Sequence, residues 1–341
     1  GSNDMATIIA SNAAASGFTL YTGSETQTAD PRMQATLGVA NTPAYRGLAY
    51  LVFEDFALAN YGNSLMGAQV KAEVVKVGSA GWGGVASTLP SGGYCYEMVW
   101  TGSSYVSVSY SGSKSFTSFD GQTWSQHAMP TDQYLCMAWS GATLCCPRFG
   151  DSVTAVSPDG ISWTTGNINL IAAWTGIAYG NGVFCAVASD HAWTAISGDG
   201  VAWAGSTSAL NGLTGGCSSV AYGNGVFVAL GYGSGVSKVY VSADGMFWTQ
   251  YAMPSVGDWR AIVFNGEIFC AVSVDGNKSA NSADGTSWTA GSTLPSLSSG
   301  SPWLAWGGGY FVTAHNATAS VSADGLSWSA VSLPISASWG S

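Results

Sequence analysis

Apolar and polar positions along this chain alternate in short runs separated by turn residues, with no stretch at helical spacing beyond the first eighty or so residues. The stretch from Trp174 to Ala209 shows the arrangement in full. Trp174–Tyr179 is a short apolar run, Gly180-Asn181-Gly182 accepts positive φ, and Val183–Val187 is a second run of strand formers. That order is a hairpin signature. A polar break, Ser189-Asp190-His191, leads to a third run at Trp193–Ile196. Ser197-Gly198-Asp199-Gly200 then turns the chain into a fourth strand carrying Trp203. The hairpin recurs at Val220–Phe227, Ile262–Phe269 and Trp306–Phe311.

Each set of strands is punctuated by one phrase, Ser-x-Asp-Gly-x-x-Trp, present six times. Its Asp and Trp are Asp120 and Trp124, Asp159 and Trp163, Asp199 and Trp203, Asp244 and Trp248, Asp284 and Trp288, and Asp324 and Trp328. Successive aspartates lie 39, 40, 45, 40 and 40 residues apart. A period of that size means one supersecondary unit repeated, each copy burying its apolar face on its neighbours. Four short strands per period predict an all-β chain: a six-bladed β-propeller of four-stranded blades over residues 79–341. Closing the ring removes the long exposed edges that isolated sheets would carry. The segment Trp82–Pro90 reads like Trp288–Pro295, a fourth strand without a motif of its own, so the two ends are expected to meet.

The phrase has a structural reading. A short acceptor, Ser or Asp, can bond backbone N–H groups two residues on and tie the turn between the third and fourth strands. Gly after Asp permits a left-handed backbone. Trp in the next strand can wedge between blades while its indole N–H finds a carbonyl. Across residues 82–339 the phrase resembles the Asp-box of neuraminidase-type repeats, one residue shorter between Asp and Trp. That resemblance implies a propeller with the motifs on the turn between the outer two strands, away from any active face.

Residues 1–78 lack the motif and are expected to form a small β-rich domain. Asp30-Pro31 opens a short helix through Leu37, with Pro following a capping Asp. Val70–Val74 reads as a strand, and Gly1–Asp4 as a tag remnant. The ordered run Asp30-Pro31, Pro43-Ala44-Tyr45-Arg46-Gly47, Tyr50-Leu51-Val52-Phe53-Glu54-Asp55 and Tyr61-Gly62-Asn63 is similar to a segment of the tail-hub or host-specificity proteins of long-tailed phages and gene transfer agents. The resemblance implies a virion tail protein assembled in the host cytoplasm, other tail proteins as partners, and a possible homotrimer.

Composition narrows the classes of function. Charged residues are 8 %, against roughly 25 % in average globular chains, so Gly, Ser, Thr and Asn must supply the polar surface. A net charge of −10 without any Lys/Arg cluster speaks against nucleic-acid binding. No apolar stretch is long enough to span a bilayer, so membrane insertion is not expected. Seven Cys is an odd number, against a complete disulfide framework. Cys145, Cys185 and Cys270 share one second-strand position with Val228 and read as small buried hydrophobes. With only three His and no metal spacing, neither a metal nor another cofactor is expected.

A sialidase-like hydrolase is the enzymatic alternative, and it meets an obstacle. That family holds its substrate carboxylate with three arginines, while residues 79–341 contain only Arg148 and Arg260. Other glycosidases need two opposed carboxylates. Asp151, Asp190, Asp258 and Asp275 lie outside the repeated turns, with nothing in their spacing that demands a pair. The expected site is instead the face opposite the repeated turns, built by the loops between strands two and three and between blades. Its candidates for ligand contact are Trp259 with Asp258 and Arg260, Tyr232, Asp190, His191, Asp275, Asn277 and His315. Aromatic rings beside such polar groups suit a sugar. The expected function is host-surface receptor binding, glycan or protein; the alternatives are a scaffold without a ligand and a glycan-cleaving enzyme.

Overall fold

The computed structural model describes residues 76–78, 81–83 and 95–332, apart from 208–209, 211–214, 234–235, 276, 296–303 and 316–317. The expected helix from Asp30, the strand at Val70–Val74 and the tail-hub-like run lie outside the described residues. Every regular element among the described residues is a strand.

The strands group as the alternation requires. Cys95–Trp100, Tyr105–Ser109, Lys114–Ser118 and Ser125–Ala128 pair in chain order, antiparallel throughout. The same four-strand order recurs from Cys217 to Gly257, from Trp259 to Ala290 and from Ala305 to Ser332. Between the first and the Cys217 group, one strand, Thr164–Gly180, serves two sheets. Its beginning, Thr164–Asn167, pairs with Val153–Val156, and its end, Trp174–Gly180, pairs with Val183–Ala188. The seven strands of that region are therefore two successive four-strand units sharing one continuous strand.

Consecutive units stack through apolar clusters, each drawing on the two units it joins. Val106 and Val108 of the first unit meet Leu144, Cys146 and Trp163 of the second. Cys145 and Val156 meet Phe184 and Trp203. Cys185 and Val187 meet Phe227 and Trp248; Val228 and Leu230 meet Phe269 and Trp288; Cys270 and Val272 meet Phe311 and Trp328. All seven cysteines are free thiols, six of them buried. Burial alone pushes the Cys217 thiol up and is the main cause at Cys145, Cys185 and Cys270, which matches their role as small apolar fillers.

The repeated phrase is a closed hydrogen-bonded turn between the third and fourth strands. In the third unit, Ser197 Oγ accepts the N–H of Gly200 at 2.8 Å, and Asp199 Oδ1 accepts those of Val201 and Ala202 at 2.8 and 3.0 Å. Trp203 Nε1 donates to the Gly200 carbonyl at 2.8 Å. The tryptophan thus wedges against the preceding unit, as expected, while its N–H satisfies its own turn. Gly200 is doubly constrained. Its φ is +79°, and a Cβ there would lie 2.6 Å from Val156 Cγ1 and 3.0 Å from Cys145 Sγ of the preceding unit. Its carbonyl also accepts the Thr154 hydroxyl of that unit at 2.8 Å. The glycine is therefore a point of backbone contact between units as well as a turn residue.

One expectation for the chain ends changes. Gly81–Gly83 does not complete a motif-bearing sheet. It forms a two-stranded hairpin with Lys76–Gly78, in which Trp82 pairs with Val77, and it lies beside the last strand, Ser329–Ser332. No Ser-x-Asp-Gly turn precedes this segment, and among the described residues its strand partner is Lys76–Gly78.

Candidate binding face

The strand order separates two faces. First-to-second hairpins and the repeated turns lie at one end of every unit; second-to-third loops and the links between units lie at the other. Asn181 and Asn224 stitch the first face together. Asn181 Nδ2 donates to the carbonyls of Gly225 and Ala243 in the next unit, at 3.2 and 2.8 Å. Asn224 does the same to Glu267 and Ala283, at 3.1 and 2.8 Å. Both hold φ of +48°, the left-handed conformation Asn tolerates best among side-chain-bearing residues.

The opposite face brings four of the nine expected site residues, Tyr232, Asp258, Arg260 and Asp275, into one network. Arg260 lies antiparallel to the Asp258 carboxylate, with Nε at 2.7 Å from Oδ1 and an Nη at 2.7 Å from Oδ2. The guanidinium carbon lies 4.4 Å from the centre of the Tyr232 ring, a cation–π contact across a unit boundary. Asp258 N–H donates to Asp275 Oδ1 at 2.5 Å, and Ser273 donates its hydroxyl to the same carboxylate. Burial works against ionisation of Asp275, but Ser273, the Asp258 N–H and Lys278 together hold it below the usual carboxylate range. Lys278 Nζ stands 3.8 Å from Asp275 and donates to the Val256 carbonyl at 2.6 Å. Asn277 takes φ +50°, and its carbonyl accepts Leu294 N–H at 2.7 Å.

Trp259 is corrected by the structure. It is 1 % exposed, within the cluster joining the fourth and fifth units, and its indole donates to the Ser255 carbonyl at 3.2 Å. A large ring at the opening of a first strand is worth more as core than as a platform, and Trp174 repeats the arrangement with its indole on the Asp151 carbonyl. The polar residue of the network that keeps an open aromatic surface is Tyr232, 36 % exposed.

Asp190 and His191 form a second, separate site. Asp190 Oδ1 accepts Ala173 N–H at 2.9 Å and lies 3.0 Å from His191 Nδ1. The His191 ring stacks on Trp193, centroids 4.0 Å apart, a contact the sequence pattern had not singled out. His315 ends the strand Tyr310–His315, and its side chain lies outside the described residues.

Asp190 and Asp275 do equivalent work. Each receives a backbone N–H from the residue preceding a buried first-strand Trp, seventeen positions earlier. That shared seventeen-residue spacing from the residue before a Trp is a signal the sequence carries, and the loop reading does not use it. Asp151 is engaged by Arg148 and by its neighbour Ser152 N–H at 2.6 Å; burial opposes its ionisation, yet these contacts keep it below the usual range. None of these carboxylates therefore stands as a free acid or base facing another across a cleft. Among the described residues no group of three or more His, Cys, Asp or Glu side chains is placed to hold a metal ion. No described helix is long and apolar enough to cross a membrane.

No family model matches this chain, and no curated protein matches it. Solved structures do. Virginiamycin B lyase from Staphylococcus aureus superimposes with a TM-score of 0.62 at 12 % identity, over 74 % of this chain and 88 % of that one. A streptogramin B lyase gives 0.60 at 10 % identity, over 73 % and 85 %. YCF48 bound to D1 peptide gives 0.54 at 17 % identity, over 71 % and 83 %. At such identities the likeness speaks for the fold alone. These neighbours are β-propellers, so the antiparallel four-strand units described above belong to an all-β, propeller-type chain.

Proposed function

We propose that this chain is a phage tail protein whose six-bladed propeller binds a host-surface receptor, a glycan first and a protein second, through the face opposite the repeated turns. Ring closure into six blades is supported by Trp124. It is 7 % exposed, as buried as Trp203 at 8 % and Trp328 at 9 %, so the side of the first unit turned away from the second is also covered. Closure is also supported by the approach of Gly81–Gly83, which precedes the first unit in the chain, to Ser329–Ser332 of the last.

The observation that carries the binding reading is the contrast between faces. One is uniform and stitched by repeated Asn and motif contacts; the other is irregular and presents Tyr232 over an Arg260–Asp258 pair, with His191 on Trp193 in another unit. Tail placement rests on the N-terminal resemblance. A catalytic role fits less well, because Asp151, Asp190 and Asp275 each have backbone N–H groups in their carboxylates and Asp258 is paired with Arg260.

A scaffold reading has one observation in its favour: Phe119 and Phe247, 80 % and 83 % exposed, stand in repeated turns, where another tail protein could cover them. Flow cytometry of the fluorescent full chain on candidate host cells separates the readings. Saturable labelling supports receptor binding; absence of labelling on every host that the phage adsorbs to supports the scaffold; release of reducing sugar from host polysaccharide supports the hydrolase.

A further inference from the structure

Three cations of the irregular face are already committed. Arg148 faces Asp132 and Asp151, Arg260 is held in two-point contact by Asp258, and Lys278 lies beside Asp275 while donating to a carbonyl. A guanidinium with a carboxylate already at contact distance, and one N–H donated to it, offers little to an incoming anion. The surrounding field adds to this, since the chain carries a net charge of −10. Among the described residues the face also presents an aromatic ring. Arg260 covers one side of the Tyr232 ring at 4.4 Å, and the residue as a whole is 36 % exposed.

Building on the receptor-binding reading, we infer that Tyr232 is a stacking platform for an uncharged sugar ring, and that the face discriminates against acidic glycans. Arg260 is a positioning residue. Clamped by Asp258, it fixes the Tyr232 ring from behind and polarises it, while the C–H face of a neutral pyranose packs on the open side. An acidic sugar would have to displace Asp258 from Arg260 or meet the carboxylates of Asp258 and Asp275.

The test is binding of the full chain to immobilised dextran, mannan and galactan against polysialic acid and alginate, at low and high salt, alongside labelling of host cells. The inference expects at least one neutral polysaccharide to bind, with affinity changing less than about twofold between the salt conditions, since no phosphate-like or carboxylate charge is being neutralised. Tyr232→Ala should weaken that binding at least tenfold and Tyr232→Phe should retain it, both with unchanged thermal unfolding. Arg260→Lys should weaken it while leaving its salt independence, because Lys cannot keep the planar stack. Host-cell labelling that is salt-sensitive, competed by polysialic acid or alginate, or indifferent to Tyr232→Ala overturns the inference and leaves receptor binding standing. No labelling of any host overturns both.

Discussion

In the repeated turns, one carboxylate oxygen accepts two backbone N–H groups. At Asp120 and Asp284 the N–H groups of Thr123 and Ser287 are the largest influence, and the pKa falls to about 2. At Asp324 burial opposes the shift, yet the N–H groups of Ser327 and Leu326 also bring it to about 2. With an unfolded value of about 3.9, these groups add stability that is complete above that value and is lost as pH falls through about 2. Urea unfolding should therefore weaken from about pH 5 downward. The triple Asp→Asn variant at 120, 284 and 324 should be less stable at neutral pH and show a shallower acid limb; an unchanged limb would refute the assignment. Gly200→Ala meets both φ +79° and the side chains of Val156 and Cys145, and should cost about 2–4 kcal/mol in urea unfolding. Trp259→Ala should cost about 3–5 kcal/mol, as expected for a buried aromatic. The sequence showed that the motif residues are structural, because six identical turns must share one task. It did not reveal that Trp259 is core, since a tryptophan between Asp and Arg reads equally as a surface platform. Only its burial and the carbonyl of Ser255 decide the matter.

At the scale of elements, the unit of construction is the four-strand antiparallel sheet, and this was legible from the alternation and from Gly-Asn-Gly hairpins. Less legible was how units hold each other. Asn181 and Asn224 look like ordinary turn residues, yet each places its amide on two carbonyls of the following unit. Asn181→Gly keeps the φ of +48° accessible and removes those bonds together with the one its Oδ1 accepts from the Tyr222 hydroxyl at 2.6 Å, so it should cost about 1 kcal/mol; Asn181→Ala should cost more, because it adds backbone strain. An Asn181→Gly variant as stable as the parent in chemical unfolding would show that the side-chain bonds contribute nothing, and equal losses for the two variants would refute the strain. The shared strand Thr164–Gly180 was also beyond the pattern, because its polar middle reads as a link between separate strands. Pairing on both sides, with Val153–Val156 and with Val183–Ala188, makes it continuous.

For the whole molecule, the repeat imposes two unlike ends, and function is argued from that asymmetry. Stacking each sheet on the next leaves the repeated turns on one rim and the variable loops on the other. Sequence variation among the loops marked the second rim as the candidate face; which of its residues remain open depends on contacts between units, such as Arg260 on Tyr232, that no single repeat contains. The most direct measurement is photo-crosslinking of the full chain on host cells, with benzoylphenylalanine placed either at Tyr232 or at Phe247. Crosslinks to host-surface material from position 232 alone are the predicted result; crosslinks from position 247 alone would place recognition on the opposite rim and contradict the account.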